Sequence, residues 1–179
     1  MANQVAARLS GDDYQHLYAW GELLKLLISS CRLRSVTVED PEARFVDDVT
    51  ERHESDAADP DVFLQIKYHV DQRDQYSTDQ LLETKGKGRS LLRKLYESWV
   101  DLRQAGRPVE LRLVSNWTWD PDDSVRRCIL GADGALSEAF LAGTIDGDVG
   151  RARARWKDHL SIEDEEFKAF ASTLRFRLG

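Results

Sequence analysis

The stretch "FLQIKYHV", residues 63–70, decides how this chain reads. Successive side chains of an extended segment point to opposite faces, so positions two apart share one. Val62, Leu64, Ile66, Tyr68 and Val70 then make a continuous apolar face, and Phe63, Gln65, Lys67 and His69 make the other. An amide and an ammonium two residues apart fit either an ordinary solvated strand face or two arms of a metal–phosphate site. The surrounding sequence must decide between them.

Working outward, "RSVTVED" (34–40) and "RFVDDVTER" (44–52) read as two further strands before it, joined by the turn "DPEA". A helix is expected over residues 12–30, with Tyr14, Leu17, Tyr18, Leu24, Leu27 and Ile28 at the three-to-four spacing of one apolar face. Residues 77–104 form a second helix, or two in succession, weakened by Gly86 and Gly88. "VELRLVSN" (109–116) is a fourth strand, and three helical segments follow at 135–142, 148–160 and 162–173 before the terminal "TLRFRLG". The order is helix, three strands, helix, strand, then C-terminal helices: one α/β domain without a linker to divide it.

The chain has 179 residues, 41% apolar and 32% charged, which suits a globular fold with a real core. No apolar run reaches the ~18–20 residues of a membrane span, and the N-terminus has no apolar signal segment, so a cytoplasmic protein is expected. Cys31 and Cys128 lie far apart and read as reduced thiols, and the four histidines have no regular metal spacing. "KGKGRS" lacks the spacing of a P-loop. A net charge of −7 argues against a general nucleic-acid coat, yet "KGKGRSLLRK" (85–94) and "RARARWK" (151–157) are local basic patches, against an acid-rich segment at 37–61.

Metal-dependent phosphodiester cleavage needs a carboxylate and further oxygens to hold a hard divalent cation, plus a cation to offset charge developing on the phosphate. Asp48, Gln65 and Lys67 have these parts, and the Ile66 carbonyl adds another oxygen. The pattern Asp-(x)16-Gln-x-Lys, in this order of elements, resembles the restriction-endonuclease-like (PD-(D/E)XK) superfamily in its Gln-x-Lys variant, as in Mrr-like nucleases. With "GDDYQHLYAW", "TVED", "VDDV", "LQIKYH", "RLVSNWTW" and the terminal "WKDHLSIEDEEFKAFASTLRFRLG", the chain looks most like the nuclease effector domain fused to a SAVED sensor in bacterial CBASS antiphage defence.

The resemblance implies that Asp48, Gln65 and Lys67 are the catalytic set, with magnesium, or manganese, as cofactor. Asp47 is the fallback for Asp48, since the local register decides which carboxylate faces the site. Gln15 on the first helix matches the place of an accessory ligand, and Glu39, ending the first strand, is another candidate for the cation or its water. Lys85, Lys87, Arg89, Arg93 and Lys94 are candidates for contacts to the backbone of double-stranded DNA, which position a duplex without reading its sequence. The implied partners are DNA, a sensor domain beyond residue 179 that binds a cyclic oligonucleotide, and further copies of the chain on activation. Two alternatives stay open: a silent DNA-binding or assembly module of the same fold, and a ribonuclease. Trp117 and Trp119 either stack on a base or pack the end of the fourth strand.

Overall fold

The computed structural model describes residues 2–56, 58–71, 74–84, 86 and 88–179. In chain order the elements are α1 (Ala2–Leu24), β1 (Leu33–Val38), β2 (Val49–His53), β3 (Asp61–Lys67), α2 (Thr78–Leu82), α3 (Leu91–Leu102) and β4 (Val109–Ser115). There follow β5 (Ile129–Leu130), β6 (Ala135–Leu136), α4 (Glu138–Ala142), α5 (Gly147–Leu160), α6 (Asp164–Ala171) and β7 (Leu174–Leu178). The seven strands form one mixed sheet in the order β1-β2-β3-β4-β7-β6-β5. The pairs β1–β2 and β2–β3 are antiparallel; β3–β4 and β4–β7 are parallel. Parallel neighbours need a crossover, which α2 and α3 provide for the first pair and the segment carrying α4–α6 for the second.

The sheet is covered unequally. Val62, Leu64 and Ile66 of β3 join Val49, Val114 and Ala19 in a small core beneath α1. Phe63 faces the other way, into a larger core with Leu111, Leu113, Trp99, Trp156 and Phe176 that α2–α6 complete. The period-two alternation of β3 is therefore buried on both sides, as a central strand requires. Gln65 is only 2% exposed, so its face is not a solvated one.

Several expected boundaries move. α1 begins at Ala2 and stops at Leu24, and two 3-10 turns (Lys25–Leu27, Ser29–Cys31) replace its expected last part. Residues 44–46 are a turn rather than strand, and β2 starts only at Val49. β3 ends at Lys67, leaving Val70 63% exposed. The 77–104 segment is two helices, capped by Ser77 and Ser90, whose side chains accept from Gln80 N–H and Arg93 N–H. The expected C-terminal helices are present, but "TLRFRLG" forms β7 beside β4, and the β5–β6 hairpin packs on it through Gly134, where a side chain would strike the Phe176 backbone. Among the described residues no helix is long and apolar enough to cross a membrane.

Candidate active site

The site sits where β2 and β3 part company. The last β2–β3 partners toward this end are Val49 and Leu64, so Ile66 has no ladder partner on that edge. The Asp48 carboxylate takes its place: Oδ2 accepts from the Ile66 backbone N–H at 2.5 Å and from the Gln65 amide. Asp48 lies one residue before β2, not within it as the sequence suggested. The register also settles which neighbour faces inward. Asp47 uses its backbone C=O to accept from Asp40 N–H, and no side-chain bond ties it to Gln65 or Lys67 among the described residues.

Burial pushes the Asp48 carboxyl up from its ordinary range, against the Ile66 N–H, Lys67 and the Gln65 amide, which hold it down. Both bonds converge on Oδ2; Oδ1 accepts none among the described residues. Two residues on from Gln65, burial pulls the Lys67 ammonium down, and the Asp48 and Asp47 carboxylates oppose that. Lys67 forms no ion pair within 4 Å among the described residues. Its ammonium instead lies 5.3 Å from the centre of the Phe45 ring, and Lys94 approaches the same ring at 4.8 Å. An aromatic face is a weak counter-charge, so neutralising Lys67 falls mainly to the Asp48 and Asp47 carboxylates, which act on it through space.

Lys67 and Lys94 open onto a cleft of about 510 Å³ walled by His69, Tyr76, Trp117 and Arg89. Phe45, Arg89 and Lys94 also line a second hollow of about 520 Å³ beside Arg44. The shared residues make the two hollows one groove past the site. Its aromatic wall is built, since the His69 ring stacks on Trp117 at 3.5 Å and its Nε2 lies 3.1 Å from the Tyr76 hydroxyl. Trp119 is 4% exposed and packs edge-on against Phe176, which is the packing role.

The other expected site residues fare differently. Arg93 donates to the backbone oxygens of Leu160 (2.9 Å) and His159, holding the end of α5, and does not face the groove. Arg89 is on the groove but ion-paired with Glu97 at 2.5 Å. Lys85 and Lys87 lie outside the described residues. The Gln15 and Glu39 side chains make no bond to Asp48, Gln65 or Lys67 among the described residues; Gln15 is on α1, which covers the opposite sheet face, and the Glu39 side chain is exposed. Glu39 touches the site only through its backbone N–H, 3.2 Å from the Asp48 carbonyl.

Sequence reasoning missed Phe45, which no periodicity marks because it sits in a turn, and the His69–Trp117 stack, which joins distant segments. Among the described residues no group of three or more His, Cys, Asp or Glu converges, so any cation here would rest on one carboxylate with amide and carbonyl oxygens. No protein-family model matches the sequence, and a search of curated proteins finds no match.

Proposed function

We propose that this chain is a magnesium-dependent nuclease of the restriction-endonuclease-like kind, hydrolysing phosphodiesters of double-stranded DNA with little sequence preference. The observation that carries the reading is the junction of β2 and β3. There a buried amide and a backbone N–H fix one carboxylate oxygen of Asp48, and the Lys67 ammonium, which forms no ion pair within 4 Å among the described residues, follows two residues along the same strand face at the mouth of a cleft. The helix–strand–strand–strand–helix–strand order, with the third and fourth strands parallel, supports the same reading.

The donors fit a hard cation. Asp48 keeps Oδ1 open, its burial leaves it short of positive charge, and Gln65 presents an oxygen if its amide makes a half-turn. The C=O of Ile66 lies on the same strand edge as its N–H, which already reaches Asp48. Asp48, Gln65 and Ile66 would hold magnesium, or manganese, which when bound polarises a phosphate oxygen and acidifies a water. Lys67 offsets charge growing on the scissile phosphate, and its lowered pKa suits it to giving or taking a proton there. Lys94 and Arg89 are left to steer the phosphate backbone along the groove.

We further propose that the chain is the effector half of a cytoplasmic defence protein whose sensor domain binds a cyclic oligonucleotide, so that cutting is gated. Incubation with plasmid DNA tests the central claim. Nicking is expected with magnesium and absent with chelator or in Lys67→Ala, whose circular dichroism stays that of the parent. Cleavage that survives EDTA sinks the metal reading. Cleavage of RNA alone assigns a ribonuclease, and binding without cutting assigns a silent module.

A further inference from the structure

Ten large apolar side chains are well exposed among the described residues, and seven of them lie on α1 or in the turn directly after it. Leu9, Leu17, Trp20, Leu24, Leu27 and Ile28, each 51–82% exposed, run along the outer side of α1 and the turn after it. The inner side is already used: Tyr14, Tyr18, Ala19 and Glu22 face the sheet. The sequence periodicity merged two faces, since Leu17, Leu24, Leu27 and Ile28, expected to be buried with Tyr14 and Tyr18, point away from the core. A helix apolar on both sides is a helix with something on both sides.

We infer that α1 is a self-association surface, and that its outer face packs against α1 of a second copy of this chain around a two-fold axis. Three observations choose that occupant. Leu17, Trp20 and Leu24 follow the three-four spacing by which one helix meets another like itself, and Leu27 extends the row into the turn after α1. The six side chains expose roughly 700 Å², beyond the largest patch of a typical monomer and close to the ~800 Å² each partner contributes to a stable complex. The face is also self-complementary in shape. Bulky Trp20 adjoins Gly21, where a side chain would meet nothing within 4 Å, so a two-fold axis near these residues seats each indole over the partner's glycine.

Asp13, four residues from both Leu9 and Leu17, puts an acid within the N-terminal half of the face, and a base follows its far end. Asp12 and Asp13 are exposed on α1, and exposed Arg34 follows the turn at its far end. Antiparallel pairing of the two helices sets acid against base at both ends, whereas parallel pairing sets like against like. This inference does not depend on the nuclease reading, because none of its residues lies on the groove that holds Lys67.

Sedimentation velocity on the 179-residue chain from 1 to 100 µM tests it. A dimer is expected, dissociating in the micromolar range, with Trp20→Glu weakening it at least ~30-fold as removal of a central aromatic anchor does. Gly21→Leu is the decisive variant. Leucine is a good helix former, so thermal stability should hold or rise while the dimer is lost, because the partner's indole has nowhere to sit. Wild type monomeric at 100 µM overturns the inference, and a Gly21→Leu dimer as tight as wild type, or tighter, overturns the packing of Trp20 on Gly21. A folded, monomeric Gly21→Leu beside a dimeric wild type supports both.

Discussion

Replacing Gln65 by glutamate separates a metal site from a structural hydrogen bond. Gln65 is 2% exposed and donates its amide N–H to Asp48, whose carboxyl burial already pushes up. Gln65→Glu removes the donor and sets two carboxyls in contact. Without a cation, one of them must carry a proton at neutral pH. Holding a carboxyl neutral ~2–3 pH units above its ordinary pKa costs about 3–4 kcal/mol, somewhat less if Lys67 moves closer. In EDTA at pH 7 the variant should lose about 2–4 kcal/mol, a drop of roughly 5–15 °C in melting temperature for a chain this size. The pH dependence has a definite sign. The new group's folded pKa is raised, so stability is kept below the unfolded value near 4 and lost as pH rises through the folded one. Magnesium should reverse the loss, by about 2.7 kcal/mol at a hundred times its dissociation constant, and should stabilise the variant more than wild type. The assay is thermal and urea unfolding of both proteins, with EDTA and with magnesium, at pH 5 and pH 7. A variant as stable as wild type in EDTA would falsify the contact geometry. A destabilised variant that magnesium leaves unmoved refutes the metal site while keeping the geometry.

Two further outcomes follow from other residues. Arg93→Ala should cost about 1–3 kcal/mol in urea unfolding, because the carbonyls at the end of α5 lose charged donors, and should leave the salt dependence of DNA binding unchanged; a shallower salt slope at full stability makes Arg93 a phosphate contact after all. Glu22→Gln addresses the carboxyl pair under α1. Burial, then the hydrogen bond to Glu51, pushes Glu22 up to about 7, while Lys25 bonds to both acids. Wild-type stability should therefore fall by on the order of 2–3 kcal/mol as pH rises from 5 to 8, and the variant, which cannot titrate there, should be nearly flat over that window. Parallel pH profiles for the two proteins would show that Glu22 is not the titrating group.

The legible parts of the fold were those where one periodicity governs one element. β3 alternates over its whole length, and the carboxylate before β2 meets Gln65 because antiparallel pairing returns the chain to the same sheet edge. α1 misled because two apolar faces at helical spacing look like one broad face. β7 was legible in principle, since Leu174, Phe176 and Leu178 alternate with Arg175 and Arg177. Two arginines are unusual in a strand inside a sheet. They fit because the sheet face away from Phe176 is only partly covered there, and Arg175 pairs with Glu110 of β4 at 3.3 Å. The basic track read from composition counted charges without asking what each one touches, and α5 takes Arg93 out of it.

What remains is a site with few ligands of its own for a cation, in which Asp47 acts on Asp48 and Lys67 only through its charge. Asp48 is the single acid whose side chain bonds into it, while Lys67 and Lys94 meet over one phenyl ring. A cation brought to Asp48 alone would raise the positive charge beside two ammoniums, so free metal binds this constellation against repulsion. On the proposed reading, a phosphodiester in the groove would offset that repulsion, because its negative charge would face Lys67 and Lys94 and its oxygens would complete the ligand set that one carboxylate, an amide and a carbonyl leave short. Gln65 in the place of a second carboxylate would, on that reading, make the cation and the polyanion each raise the other's affinity, as linkage requires. The groove itself is of mixed charge, since Asp74, Glu83, Glu97 and Asp101 line it beside Lys67, Arg89, Lys94 and Arg44, so a polyanion would be held at Lys67 and Lys94, next to the carboxylate already fixed in place, rather than along its whole length.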